Sequence, residues 1–111
     1  MTEQNKRGQT RVVADVKVDY RTIGTFVTDY TANLSKGGVF VKTSLPLEPG
    51  EQVRLRVTIP GQELPFPLNG VVRWNRKVGE EGGDAGMGIE FSDFSDEMKT
   101  SLAEFVEQVH P

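Results

Sequence analysis

Apolar and polar residues alternate along most of this chain, and the period changes once, near the end. Val12, Ala14, Val16, Val18 and Tyr20 fall on one side of an extended segment, with Asp15, Lys17 and Asp19 on the other. Strict alternation sends successive side chains to opposite faces, so this run predicts a half-buried strand. Arg21 to Gly24 reads as a turn. Phe26, Thr28, Tyr30, Ala32 and Leu34 give a second alternating run, rich in β-branched and aromatic residues, and predict a second strand. Ser35-Lys36-Gly37-Gly38 interrupts it, and Val39 to Thr43 resumes as a short strand.

Two later turns share one chemistry. Glu48-Pro49-Gly50-Glu51 and Pro60-Gly61 each place proline before glycine; proline presets φ and glycine accepts the positive φ that a type II turn requires. Between them Val53, Leu55, Val57 and Ile59 alternate with Arg54 and Arg56. Residues 66–75 predict another strand, with Phe66, Leu68, Val72 and Trp74 on one side. Residues 76–86 are rich in glycine and acid and read as an exposed loop, after which Met87, Ile89 and Phe91 alternate again. The period then becomes helical: Met98, Leu102, Phe105, Val106 and Val109 share one helix face. Ser95 is the expected N-cap, and Asp96 and Glu97 put negative charge in the first turn.

The sum is an all-β fold with one terminal helix. Six short strands with frequent turns predict a small antiparallel barrel or sandwich, and the helix is expected to cover an open end or seam. With 111 residues the chain is expected to form a single domain. Its expected parts are a flexible basic arm over 1–11, a barrel over 12–92 and a helix over 95–109.

Composition removes several alternatives. Cysteine is absent, which excludes disulfides, a thiol nucleophile and thiolate metal sites. The chain has no run of 18 apolar residues and no signal-peptide-like start, so membrane insertion is not expected and a soluble cytoplasmic protein is. Net charge is −3, opposite to the basic surplus of a general nucleic-acid binder. Charge is uneven, however. Lys6, Arg7 and Arg11 face only Glu3 within the first eleven residues, so a small anionic ligand suits that end better than a long polyanion.

Signs of catalysis are few, and no enzyme is expected. His110 is the only histidine and stands beside the C-terminus. Glu80, Glu81 and Asp84 in the glycine-rich loop match no metal-ligand spacing. Two other segments carry more chemistry. In Arg7-Gly8-Gln9-Thr10-Arg11, two guanidiniums stand four positions apart just before a strand. Arginine forks pair with phosphate oxygens and their flat faces stack on bases; a solvated basic tail uses the same residues. In Asn33-Leu34-Ser35-Lys36-Gly37-Gly38, strand parity puts Asn33 and Ser35 on one face. An amide and a hydroxyl there offer donors and acceptors to a base edge. Gly38 permits positive φ and close backbone approach. A polar turn between strands uses these residues too.

Taken together, RxxxR followed by NxSxxG at the rim of a small barrel resembles the PilZ domain family, whose pattern is RxxxR followed by (D/N)xSxxG. The resemblance covers nearly the whole chain. It takes in Val39-Phe40 after the glycine, Leu45-Pro46-Leu47-Glu48-Pro49-Gly50, Gly70-Val71-Val72-Arg73-Trp74, Gly86-Met87-Gly88-Ile89-Glu90-Phe91 and the closing helix.

The resemblance implies a six-stranded PilZ-type barrel capped by a C-terminal helix, and a receptor for the bacterial second messenger cyclic di-GMP. By that likeness Arg7 and Arg11 would clamp phosphates and stack on guanines, while Asn33 and Ser35 would bond a guanine edge. Gly38 would allow the close turn, and Lys6 would add phosphate attraction. Asn33 stands where aspartate is commoner in the family. An aromatic on a late strand contacts ligand in some members, and Arg73 and Trp74 both lie near that place. Strand parity puts them on opposite faces, so only one would qualify, and Trp74 shares its face with Val72. No cofactor is expected. Expected partners are cyclic di-GMP and a regulatory or motility protein, with the chain a monomer or homodimer. The alternatives are a ligand-independent adaptor and, more remotely, a single-stranded nucleic-acid barrel, which would need exposed aromatics beside basic residues.

Overall fold

The computed structural model describes residues 13–109. Lys6, Arg7 and Arg11, the expected arm and His110 lie outside the described residues. The described elements run β1 (Ala14–Asp19), α1 (Ile23–Ala32), a 3-10 turn (Leu34–Lys36), β2 (Gly38–Lys42), β3 (Gln52–Thr58), β4 (Phe66–Arg76), β5 (Gly86–Phe91) and α2 (Asp96–Val109). The five strands make one curled sheet, a half-barrel, in the order β1-β3-β4-β5-β2. The expected six strands are therefore five among the described residues, and β1 and β2 are not paired into a closed barrel. The sheet is not wholly antiparallel either, because β1 runs parallel to β3.

The main correction is the second predicted strand, which is a helix. Phe26, Tyr30 and Leu34 are four apart and satisfy period two and period 3.6 alike. Ile23 and Val27 decide between the periods, because together with Phe26 and Tyr30 they complete an i, i+3, i+4, i+7 face. Phe26 and Leu34 are buried and Ile23, Val27 and Tyr30 half-buried, whereas Thr28 and Ala32 are exposed. Thr22, read as part of a turn, caps the helix: its hydroxyl accepts from the Thr25 N–H at 3.0 Å. The β-branched content that suggested a strand is overridden by the packing of this face. The chain crosses through α1 from one edge of the sheet to the other.

The patterns of β3, the two Pro-Gly turns and α2 fold as read. Along β3, Val53, Leu55 and Val57 are buried and Arg54 and Arg56 exposed. Gly50 and Gly61 have φ of 98° and 87° in the two Pro-Gly turns. Ser95 caps α2, its hydroxyl accepting from the Met98 N–H at 3.1 Å. The core lies on one face of the sheet and is closed by both helices. Phe26, fully buried, sits edge-on to Tyr20 at 5.5 Å and to Phe105 of α2 at 5.8 Å. Its burial contributes roughly 1.5–3 kcal/mol by transfer alone and fastens α1 to α2.

Candidate functional site

An open groove of about 370 Å³ runs where the end of α1 meets β2, β4 and β5. One wall is Asn33, Lys36, Gly37 and Gly38; the other is Arg73, Trp74 and Glu90, with Phe40 and Gly88 between. Local chemistry positions each wall. Asn33 ends α1, its N–H bonding to the Asp29 carbonyl at 2.8 Å. The chain then makes a single 3-10 turn that stops at Gly37, whose φ of 92° few residues other than glycine adopt. Positive φ thus falls on Gly37 and not, as expected, on Gly38. Gly38 is required for close approach instead: a Cβ there would lie 2.9 Å from the Ile89 carbonyl oxygen.

The far wall depends on a β-bulge. Val72 pairs with Ile89 and Trp74 pairs with the next residue along β5, Gly88, so Arg73 is an extra residue in β4. The bulge reverses side-chain parity beyond it. Val72 points into the core and Trp74 emerges on the opposite face, 43% exposed. The expectation that Trp74 shares a face with Val72, and that Arg73 and Trp74 exclude one another, is corrected: both line the groove. Trp74 lies over Gly88, where a Cβ would come within 2.2 Å of its Nε1. It stacks on Phe40 at 5.4 Å between centroids, and the Arg76 guanidinium lies 5.2 Å from its ring. Arg73 Nε donates to Glu90 Oε1 at 2.6 Å, with both side chains more than half exposed.

Asn33 and Ser35 do not share a strand face, since one ends a helix and the other lies in the 3-10 turn. The Ser35 hydroxyl donates back to the Thr31 carbonyl at 3.4 Å and does not line the groove. The Asn33 amide donates through Nδ2 to Asp29 Oδ1 at 2.5 Å, and the Tyr20 hydroxyl donates to the other oxygen of that carboxylate. Burial, then the hydrogen bond to Asp29 and its negative charge, push the Tyr20 phenol far above its ordinary range. The groove therefore offers an amide, a lysine, an arginine–glutamate pair and a flat aromatic platform. This set suits a planar, anionic ligand: cations for phosphate and an indole face for a base.

A profile of the PilZ domain matches residues 4–108, nearly the entire chain. The chain belongs to the PilZ family. No curated protein matches it. PilZ domains form a family of cyclic di-GMP receptors and adaptors, and the NxSxxG segment of this PilZ domain forms one wall of the groove. Of the residues named from sequence, Asn33, Gly38, Arg73 and Trp74 come together there and Ser35 stands beside it. Sequence reasoning missed Lys36, Phe40 and Glu90. Phe40 was legible, because it stands two residues after Gly38 on an alternating strand. Glu90 was not, because its place depends on the bulge. No described helix of this PilZ domain is long and apolar enough to cross a membrane.

Proposed function

We propose that this PilZ domain is a cytoplasmic receptor for cyclic di-GMP that regulates a protein partner controlling motility, exopolysaccharide or developmental output, without chemical turnover. In this reading Arg7 and Arg11 close over the ligand from the N-terminal side, pairing with its phosphates and stacking on guanine, and Lys6 adds attraction. Asn33 reads a guanine edge, assisted by Ser35 when its hydroxyl turns outward. Lys36 and Arg73 supply positive charge, and Trp74 supplies a stacking face.

Sheet register is the observation that carries this reading. Ala14 pairs with Val53, Val53 with Gly70, and Gly70 with Phe91, whose N–H bonds to the Gly37 carbonyl at 2.8 Å. The start of β1 and the glycine wall of the groove thus occupy one row across the sheet, four strand spacings or about 19 Å apart along it. From Ala14 back to Arg7 an extended chain spans up to about 24 Å, enough to cover that row. β1, which follows the RxxxR segment in sequence, begins in the row that ends at the groove's glycine wall, and this supports a clamp from that segment.

One observation favours the ligand-independent adaptor. The Asn33 amide and the Ser35 hydroxyl both donate within their own helical turns. A thermal melt separates the two readings. Cyclic di-GMP at about 100 times its dissociation constant stabilises a receptor by about 2.7 kcal/mol, which raises Tm by roughly 10–20 °C in a domain this size. An adaptor shows no shift. Calorimetric titration of Arg7→Ala and Arg11→Ala then tests the clamp. A charge-assisted contact is worth roughly 1.5–3 kcal/mol, so each variant binds at least about tenfold more weakly; wild-type affinity in both removes the arginines from the site.

A further inference from the structure

Asn33 is held in one orientation. A carboxylate only accepts hydrogen bonds, so only the NH₂ end of the Asn33 amide can face Asp29 Oδ1, which it meets at 2.5 Å. Flipping the amide would set oxygen against oxygen. Asp29 is itself held, because its second oxygen accepts from the Tyr20 hydroxyl. Tyr20 cannot drift, since its ring packs edge-on against fully buried Phe26 at 5.5 Å. The chain from core to groove is continuous: Phe26, Tyr20, Asp29, Asn33. Its last member lines the groove with its Oδ1 end turned away from Asp29.

The orientation of an amide decides which purine it reads. Guanine presents an acceptor at position 6 and a donor at position 1; adenine presents a donor at 6 and an acceptor at 1. An amide free to flip serves either edge, and an amide locked one way serves one at a given base position. We propose that Asp29, braced by Tyr20, is a positioning residue that locks the Asn33 amide and thereby sets the groove's preference for guanine over adenine in a cyclic dinucleotide. This rests on the receptor reading given above. It also accounts for asparagine at a position where the family more often has aspartate: an aspartate here would confront Asp29 across 2.5 Å.

The test is calorimetric titration of cyclic di-GMP and cyclic di-AMP into wild type, Asp29→Asn, Asn33→Asp and the Asp29→Asn/Asn33→Asp double variant, with denaturation of each. Asp29→Asn keeps shape and hydrogen-bonding capacity but lets Asn33 pair in either sense. Its preference for the guanine ligand falls by about tenfold, the size of one bidentate base contact, while stability stays near wild type. Asn33→Asp alone weakens cyclic di-GMP binding and stability. The double variant recovers stability, because the amide now donates from position 29 to the carboxylate at 33, while its preference for the guanine ligand stays below wild type because the amide at 33 is gone. A wild type that binds while Asp29→Asn keeps the full preference overturns this inference alone, as does a double variant no more stable than Asn33→Asp. A wild type that binds neither dinucleotide overturns the receptor reading and this selectivity with it. In that case the Asn33 side-chain amide in a ligand-free NMR spectrum still reports the lock: a downfield hydrogen that Asp29→Asn removes supports it, and a signal unchanged by Asp29→Asn refutes it.

Discussion

Adding one methyl group at Gly88 should dismantle the aromatic wall of the groove. A Cβ there would lie 2.2 Å from Trp74 Nε1, 2.4 Å from Cε2 and 2.8 Å from Cδ1. Ordinary carbon contacts begin near about 3.5 Å, so the indole has to retreat by more than an ångström. It is 43% exposed, so it can swing toward solvent and the sheet need not deform. The loss is then the stack on Phe40, roughly 0.5–1.5 kcal/mol, and the Arg76 contact, roughly 0.5–1 kcal/mol. Gly88→Ala should therefore destabilise by about 1–2 kcal/mol and lower Tm by roughly 5–15 °C. Trp74 is the only tryptophan, so its fluorescence reports the displacement directly as a red shift. The decisive control repeats the substitution in a Trp74→Ala background. With the ring gone the added Cβ has room, and replacing glycine by alanine in a strand becomes neutral or stabilising. An equal loss of stability in both backgrounds, or unchanged fluorescence in the first, refutes the reasoning.

Other consequences are as specific. Phe26→Ala removes the fully buried ring that joins α1 to α2 and should cost about 3–5 kcal/mol by denaturant unfolding; a loss under 1 kcal/mol would mean that α1 is not packed as described. Tyr20 has a phenol pKa raised above its unfolded value of about 10, so its contribution to stability is fully present below pH of about 10 and is lost as pH rises beyond it. In a Tyr30→Phe variant, which leaves one tyrosine, phenolate absorbance should appear only together with unfolding; ionisation near pH 10 in a folded protein contradicts the Tyr20–Asp29 bond.

Most of the sheet could be read from the chain because burial on one face imposes period two on Ala14–Tyr20, Val53–Ile59 and Met87–Phe91. The Pro-Gly turns and the cap at Ser95 were legible for local reasons. The errors have physical causes. Residues four apart fit helix and strand alike, and in 26–34 the threonines and tyrosine pulled the reading toward a strand, although Ile23 and Val27 held the deciding phase. Trp74 was assigned the face of Val72 because parity was carried through Arg73, and no residue type announces a bulge at that position. Asn33 and Gly38 were legible as candidates from their segment's residue types and spacing, and Arg73 and Trp74 only through the family resemblance. The Tyr20–Asp29 brace was not, because it joins a strand to a helix that the alternation had hidden.

The most direct test is isothermal titration of the full chain with cyclic di-GMP, run beside GTP and cyclic mononucleotides at the same concentrations. Saturable heat with the cyclic dinucleotide and none with the others is the predicted result. No heat with cyclic di-GMP, together with an unmoved Tm, would contradict the claim that this groove and the RxxxR segment form one nucleotide site.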